Sequence, residues 1–248
     1  MATALITGAS SGFGYETAKL LSKAGYKLIL VARREEKLKD LAKKLTTKTF
    51  ISAIDVRDNN SIIKLFSDLP DEFRDIDVLI NNAGGALGFH PVDECFMDDW
   101  EYMVDVNIKG LMYFTHQVVP IMKKNNKGII INIGSVAGHA PYKGGNVYGA
   151  TKAFVSQFSK NLRTDLFGSK IKVTNIAPGR AETEFSVRRF KGDEERAKAE
   201  YVGFEALTPI DIAETILWVV NRPAHVNIDN IEIMPVDQTW GGLVINRN

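Results

Sequence analysis

The sequence predicts an α/β fold, a single doubly wound domain around a seven-stranded, mainly parallel sheet, on three observations. Seven short apolar runs alternate with longer amphipathic stretches along the 248 residues. Several runs are apolar nearly throughout, as strands covered by helices on both faces should be. No Pro- or Ser-rich linker and no repeat interrupts the alternation, so residues 1–248 are expected to form one domain. Parallel strands need right-handed crossovers, and the helical stretches supply them.

The first run, TALIT (3–7), leads through a glycine-rich turn into YETAKLLSKAG, where Gly25 is a helix-stop signal. KLILVA (27–32) is the second strand. REEKLKDLAKKL follows as a helix, with Leu38, Leu41 and Leu45 at helical spacing and charges elsewhere. The remaining strands are TFISAI (49–54), DVLIN (77–81), GIIINIGS (128–135), KVTNIAP (172–178) and NIEIMP (230–235). Longer helical patterns cover roughly 98–124, 147–167 and 209–221. Two segments break the rhythm: 83–97, glycine-rich and then irregular, and 179–206, strongly charged. Both follow the C-terminal ends of strands, where open α/β sheets hold ligands, and 179–206 reads as a substrate loop.

Composition narrows the function classes. Forty-five per cent apolar and 25 per cent charged residues are ordinary for a soluble globular chain. A net charge of +1 gives no reason to expect nucleic acid or an anionic membrane as partner. No apolar run reaches the ~18–20 residues of a membrane span, and MATALITGAS enters a strand rather than a targeting peptide. A cytoplasmic protein is expected. The single Cys95 excludes an internal disulfide and a cysteine-based zinc cluster, and with four scattered histidines no metal site is expected. Cys95 reads as buried filler rather than as a nucleophile.

The turn after the first strand, TGASSGFG, sets Gly8, Gly12 and Gly14 between strand and helix. Glycines there let the backbone approach a pyrophosphate, and the helix N-terminus adds N–H donors and the positive end of its dipole. A tight turn without a ligand is the plain alternative. At the end of the second strand, an NAD site usually places an acidic residue for the ribose hydroxyls. This chain has Ala32, Arg33 and Arg34. A guanidinium there would meet a 2′-phosphate with charge-assisted bonds, which favours NADP, through Arg33 first and Arg34 second. The alternative is that both arginines merely begin a solvated helix.

Tyr148 stands one helical turn before Lys152. Such side chains share a face, so the ammonium favours the phenolate. At ~4 Å and an effective dielectric of about 20 the attraction is about 4 kcal/mol, and desolvation opposes it. A phenol of ordinary pKa ~10 would then move toward neutrality, where a general acid or base works. The spacing alone is weak evidence, because Tyr15 and Lys19 repeat it, there as an expected surface pair. Its neighbours in sequence add weight: DVRD with Asp55, NNAGG (81–85), Asn107 inside a helical pattern it suits poorly, and Ser135 closing the fifth strand.

Together the motifs resemble those of the short-chain dehydrogenase/reductase family over the whole chain. They are TGxxxGxG at 7–14, Asp55, NNAG at 81–84, Asn107, Ser135, YxxxK at 148–152 and PG at 178–179. The resemblance implies a Rossmann-type fold binding NADP. It implies that Tyr148 exchanges the proton of the reacting oxygen, with Lys152 depressing its pKa and holding the nicotinamide ribose. Ser135 would bind the substrate oxygen, and Asn107 would hold a water leading from Lys152 to solvent. Ser10, Ser11 and Phe13 would join the glycines at the phosphates, Asp55 and Val56 would meet the adenine, and Asn82, Ala83 and Gly84 the adenosine ribose. Pro178, Gly179 and Ala181 would shape the nicotinamide pocket, with Thr183 on the carboxamide.

Within the family, INIGSVAG, GGNVYGATKAF, NLRTDL and PAHVNIDNIEIMPV resemble the NADP-dependent 3-hydroxy acid (serine) dehydrogenases. That implies a small 3-hydroxy acid or its anionic aldehyde as substrate, of the serine or 3-hydroxypropionate/malonic semialdehyde type. A sulfoacetaldehyde reductase or a broad-range carbonyl reductase is the alternative within enzymes. A catalytically silent dinucleotide-binding regulatory protein is the alternative outside them, disfavoured by the complete set of Asn107, Ser135, Tyr148 and Lys152. An anionic substrate needs a cation, for which Arg180 and Arg188 are the first candidates and Arg189, Lys191 and Lys143 further ones. The family also implies a homotetramer built on the helices carrying Asn107 and Tyr148. The closing DQTWGGLVINRN, with Trp240, Leu243, Val244 and Ile245, suits docking on a neighbouring subunit or a frayed tail.

Overall fold

The computed structural model describes residues 1–240 and 245. β1 (Thr3–Thr7), β2 (Lys27–Ala32), β3 (Thr49–Ala53), β4 (Val78–Asn81), β5 (Gly128–Ile133), β6 (Ile171–Pro178) and β7 (Asn230–Ile233) form one sheet in the order β3-β2-β1-β4-β5-β6-β7. Every pairing is parallel. The strand order reverses between β1 and β4, which opens a crevice at their carboxyl ends.

The chain crosses from strand to strand through α1 (Gly12–Lys23), α2 (Glu35–Ala42), α3 (Asn59–Asp68), α4 (Met97–Val104), α5 (Leu111–Asn125), α6 (Asn146–Asp165) and α9 (Pro209–Val220), with α7 (Glu184–Arg189) and α8 (Glu194–Ala199) inside the charged segment. No helix among the described residues is long and apolar enough to cross a membrane. Successive strand residues face opposite layers. Leu28 and Leu30 pack with Leu21 of α1, Leu41 of α2 and Ile216 of α9, whereas Ile29 and Val31 pack with Leu65 of α3 and Phe114 of α5. That two-sided burial is why these strands are apolar at nearly every position.

Local signals set the helix ends. Gly25, at φ +86°, closes α1. Asp58 starts α3 by accepting from the Asn60 and Ser61 amides at 3.0 and 3.2 Å. Pro209 opens α9, where the Thr208 amide donates to Asp211 at 2.7 Å. α3 forms outside the helical patterns expected from sequence, and α7 and α8 form inside the 179–206 segment expected as loop. Between α4 and α5 the ladder widens into a π-helical turn over Asp105–Gly110, so residues 97–125 form one interrupted rod. Such turns turn a side chain out of the regular helical phase; here that residue is Asn107.

One row of amides ties the sheet to the helices beneath the crevice. Asn81, Asn132, Asn175 and Asn230 are partners in register across β4 to β7. Asn81 Nδ2 donates to Asn132 at 2.9 Å and to Thr115 of α5 at 3.0 Å. Asn132 Nδ2 donates to Ser159 of α6 at 2.9 Å, and Asn175 Nδ2 donates to Asn230 at 2.6 Å. Replacing Asn132 with Leu leaves the Asn81 and Ser159 groups short of a partner in a buried setting. A loss of about 1–3 kcal/mol in urea-unfolding free energy is expected; an unchanged midpoint would show that the row carries no stability.

Candidate active site

A cleft of ≈ 310 Å³ runs along the carboxyl ends of the strands. At one end, β1 passes into the glycine turn. Gly8 and Gly12 hold φ values of +69° and +56°. A Cβ on Gly14 would come within 2.6 Å of both Asn82 Nδ2 and the Gly8 carbonyl, so only glycine lets α1 pack this close to β4. The Asn82 amide nitrogen donates to the Thr7 and Gly8 carbonyls at 2.8 and 3.2 Å. Thr7 Oγ1 in turn accepts from the Asn82 and Ala83 backbone amides at 3.0 and 2.9 Å. This brace joins the ends of β1 and β4, and the motif reading overlooked Thr7 as its hub.

The residues present fit a dinucleotide phosphate. Ser11 precedes α1 but caps none of its amides; its hydroxyl accepts from Arg34 at 2.8 Å. The first-turn N–H groups therefore face the cleft with the positive end of the helix dipole. Arg34 also reaches Ser10 at 3.1 and 3.2 Å and Glu184 at 2.8 Å. Lys37 meets the same carboxylate at 2.8 Å. Burial opposes ionisation of Glu184, but its bonds to Lys37 and Arg34 prevail and bring the carboxyl down to about 2. Arg33 is half exposed, its Nη1 3.8 Å from Asp55. Asp55 is bound by Arg57 at 2.8 Å, which, against its own burial, holds its carboxyl below the usual range.

At the other end lie the polar groups of β5 and α6. Tyr148 and Lys152 are buried, and the ammonium sits 5.9 Å from the phenol ring centroid. Lys152 Nζ donates to the Ile133 carbonyl at 2.8 Å, and burial pushes it down to about 8. Burial raises the Tyr148 phenol well above its ordinary value, aided by Tyr142; the Ser135 hydroxyl and the Arg189 charge pull the other way. Spacing alone led to the expectation of a phenol drawn toward neutrality by Lys152. In the folded chain burial decides the direction, and Lys152 is not among the groups that draw the phenol down. Ser135 lines the same wall, accepting from the Ala137 amide at 3.1 Å and donating to the Pro178 carbonyl at 3.4 Å.

Asn107 stands behind this wall rather than in the cleft. Its Oδ1 accepts from the Gly85 amide at 2.8 Å, and its Nδ2 donates to the Gly85 carbonyl at 2.9 Å and to Thr151 at 3.0 Å. Both side-chain donors are used, so it clamps the loop after β4 to α6 beside Lys152. A Cβ on Gly84 would meet Asn107 Oδ1 at 3.2 Å and Lys152 Nζ at 3.4 Å, which explains a glycine there. Gly14 is likewise a packing residue outside the cleft wall. Asp55, Val56, Ala83, Pro178, Gly179 and Ala181 do line it. So does Thr183, whose oxygen also caps α7 by accepting from the Phe185 amide at 3.1 Å.

The 179–206 segment forms the roof. Arg180 and Arg188 both line the cleft, but Arg180 is paired with Glu200. Arg189 enters from the end of α7, its guanidinium carbon 5.6 Å from the Tyr148 ring centroid. Lys191 pairs with Asp99 at 2.8 Å. Arg189, a further candidate from the charge run, is therefore near the chemistry, together with Phe89 and Tyr142, which no signal in the sequence marks. Tyr15 and Lys19 form the surface pair expected, with Lys19 bonded to Glu16 at 2.8 Å. Cys95 is half-buried rather than core filler, its thiol near the His90 and Pro91 carbonyls. Leu243 and Val244 lie outside the described residues; Ile245 bridges to Gln238. Among the described residues no cluster of His, Cys, Asp and Glu could hold a metal.

The displaced lysine gives a pH test. Below about 8 Lys152 is protonated in folded and unfolded chains alike, and the burial penalty is fully present. Between about 8 and the ordinary 10.5 only the unfolded chain binds that proton, so folded-state stability rises with pH. The gain is at most about 3 kcal/mol. Tyr148, shifted upward, acts in the opposite sense only above its ordinary 10.0. Wild type should therefore gain stability relative to Lys152→Met between pH 8 and 10 in urea titrations; a flat difference would contradict the buried charge.

Comparison with known proteins places the chain. The family model for short chain dehydrogenase matches residues 2–194. An NADP-dependent 3-hydroxy acid dehydrogenase of Salmonella typhi is 51% identical over 245 residues, 98% of this chain and 99% of that protein. A serine 3-dehydrogenase of Agrobacterium fabrum is 48% identical over 245 residues, 99% of this chain and 98% of that one. A solved structure of the closed form of serine dehydrogenase complexed with NADP⁺ superposes with a TM-score of 0.95 at 49% identity, covering 99% of this chain and 100% of that one. The glycine turn, the Tyr148–Lys152 pair and these matches together establish that the chain belongs to the short-chain dehydrogenase family.

Proposed function

We propose that the chain is an NADP-dependent dehydrogenase that interconverts a small 3-hydroxy acid, such as serine or 3-hydroxypropionate, with the corresponding 3-oxo acid. The observation that carries the reading is that one cleft holds the buried Tyr148 and Lys152 beside Ser135 at one end and a glycine turn backed by Arg33 and Arg34 at the other. The names borne by the relatives support both the cofactor and the substrate class.

The α1 amides, Arg33 and the β4 and β6 loops would hold NADP, which would supply the hydride acceptor. Ser135 holds the substrate oxygen, and Tyr148 Oη exchanges its proton. A phenol raised by burial is a proton donor at neutral pH, which suits reduction of the carbonyl; for oxidation it must first lose that proton. Lys152, brought to about 8, exchanges protons in the working range and relays the charge. Asn107, with one acceptor lone pair left on Oδ1, is the point where a water could continue the path. Arg188 and Arg189, which line the wall and pair with no carboxylate among the described residues, give it the charge an acid requires, whereas Arg180 is matched by Glu200.

We further infer a homotetramer in the cytoplasm. Support for assembly comes from the stacked, partly buried Phe154 and Phe158 on α6, with rings 5.6 Å apart, and from exposed Met112 on α5.

Tyr148→Phe should lower kcat with 3-hydroxypropionate by about 10²–10⁴-fold in NADP⁺ reduction assays, while cofactor affinity changes little. Arg33→Ala should weaken NADPH binding by roughly 10–100-fold and NADH binding far less, measured by cofactor fluorescence. Equal losses for the two cofactors would remove Arg33 from 2′-phosphate recognition.

A further inference from the structure

Building on the acid-substrate reading above, we propose that Arg189 receives the substrate carboxylate and is the residue that makes the site select acids over neutral alcohols. Three arginines on the roof line the cleft, and their surroundings separate them. Arg180 is matched by Glu200. Arg188 runs along the loop after β4, where its Cδ would lie 3.7 Å from a Cβ on Gly85. Arg189 alone has its guanidinium over the ring of Tyr148, at 5.6 Å.

The setting of Arg189 is that of an anion receptor. Its guanidinium carbon lies 4.5 Å from the Phe89 ring centroid and 5.5 Å from that of Tyr142. Its Nη2 donates to Tyr142 Oη at 2.9 Å and its Nε to the Gly88 carbonyl at 3.4 Å. Its own carbonyl accepts from the Gly88 amide at 2.9 Å, so both ends of the residue are anchored. All these partners are neutral. Among the described residues no carboxylate pairs with it, whereas Arg34, Lys37, Arg180 and Lys191 each have one. Aromatic faces orient the weakly hydrated guanidinium without neutralising it, and most of its fork remains for a bidentate acceptor.

Substrate geometry supplies the match. In a 3-hydroxy acid the carboxylate is two bonds from the carbinol carbon, whose oxygen must rest on Tyr148 and Ser135. A cation sharing the Tyr148 ring is within that reach. Phe89 packs on Tyr142 at 6.1 Å and on Phe190 at 6.3 Å, which closes the cleft beyond Arg189 and restricts the acid to a short one. The carboxylate then provides the counter-charge that the protein withholds, and a neutral alcohol cannot.

The test is the ratio of kcat/KM for 3-hydroxypropionate to that for 3-hydroxypropionamide, its neutral isostere. Wild type should favour the acid, and Arg189→Gln should reduce the ratio by about 10–100-fold. Added guanidinium should restore part of it in Arg189→Ala, which a purely structural role would not allow. Should Arg189→Gln fail to fold, Arg189→Lys keeps the charge, loses the fork and should still lower the ratio. A ratio that survives at Arg189 but collapses in Arg188→Gln assigns the carboxylate to Arg188 and overturns the proposal alone. A wild type with no preference for the acid overturns the substrate reading and the proposal with it.

Discussion

The structure turns on an ammonium group buried in the wall of the cleft. Lys152 is buried at the carboxyl edge of the sheet, and its described hydrogen bond is to a neutral acceptor, the Ile133 carbonyl. An unpaired buried charge is expensive, and it lowers its own pKa rather than recruiting a carboxylate. The same enclosure raises the Tyr148 phenol. Two groups whose ordinary values are close are thus moved apart, so that Tyr148 keeps its proton at neutral pH while Lys152 titrates at about 8, a separation that acid–base catalysis uses.

Several distant features exist to hold that arrangement. The end of β5 offers the Ile133 carbonyl, Gly84 leaves room for the ammonium, and the π turn delivers Asn107 to clamp Gly85 against Thr151. Asn132 fastens α6 to the sheet through Ser159, eleven residues beyond Tyr148 in the chain. Ion pairs with Arg34 and Lys37 on one side and Asp99 on the other hold the roof segment across the cleft. Those cations are matched locally; Arg33 faces the cofactor end, and Arg188 and Arg189 line the cleft on the other side, Arg189 over the Tyr148 ring.

Much of this is legible in the chain. The strands announce themselves by two-sided apolarity, and the glycine turn by its position between a strand and a helix. Tyr148 and Lys152 stand out because a helix converts their spacing into a shared face. What remained hidden depends on long-range partners. Arg180 read as a substrate cation because nothing in sequence links it to Glu200, twenty residues on. Arg188 and Arg189 differ by a single step of helical phase, which decides which reaches Tyr148. The clamp that Asn107 makes on Gly85 and Thr151 was equally hidden, since both partners are distant in sequence. The sign of the Tyr148 shift was missed because burial is a property of the whole fold. α3 escaped because its signal is a short stretch started by one aspartate cap.

The claim at the centre is that Lys152 controls the proton traffic of Tyr148. The pH dependence of kcat/KM for 3-hydroxypropionate, in wild type and in Lys152→Met, tests it most directly, with C3-deuterated substrate reporting the hydride step. The account predicts a rate that rises through an ionisation near 8 in wild type, and in Lys152→Met a rate lower by about 10²-fold with that ionisation gone. The same ionisation and a comparable isotope-sensitive rate in the variant would contradict it.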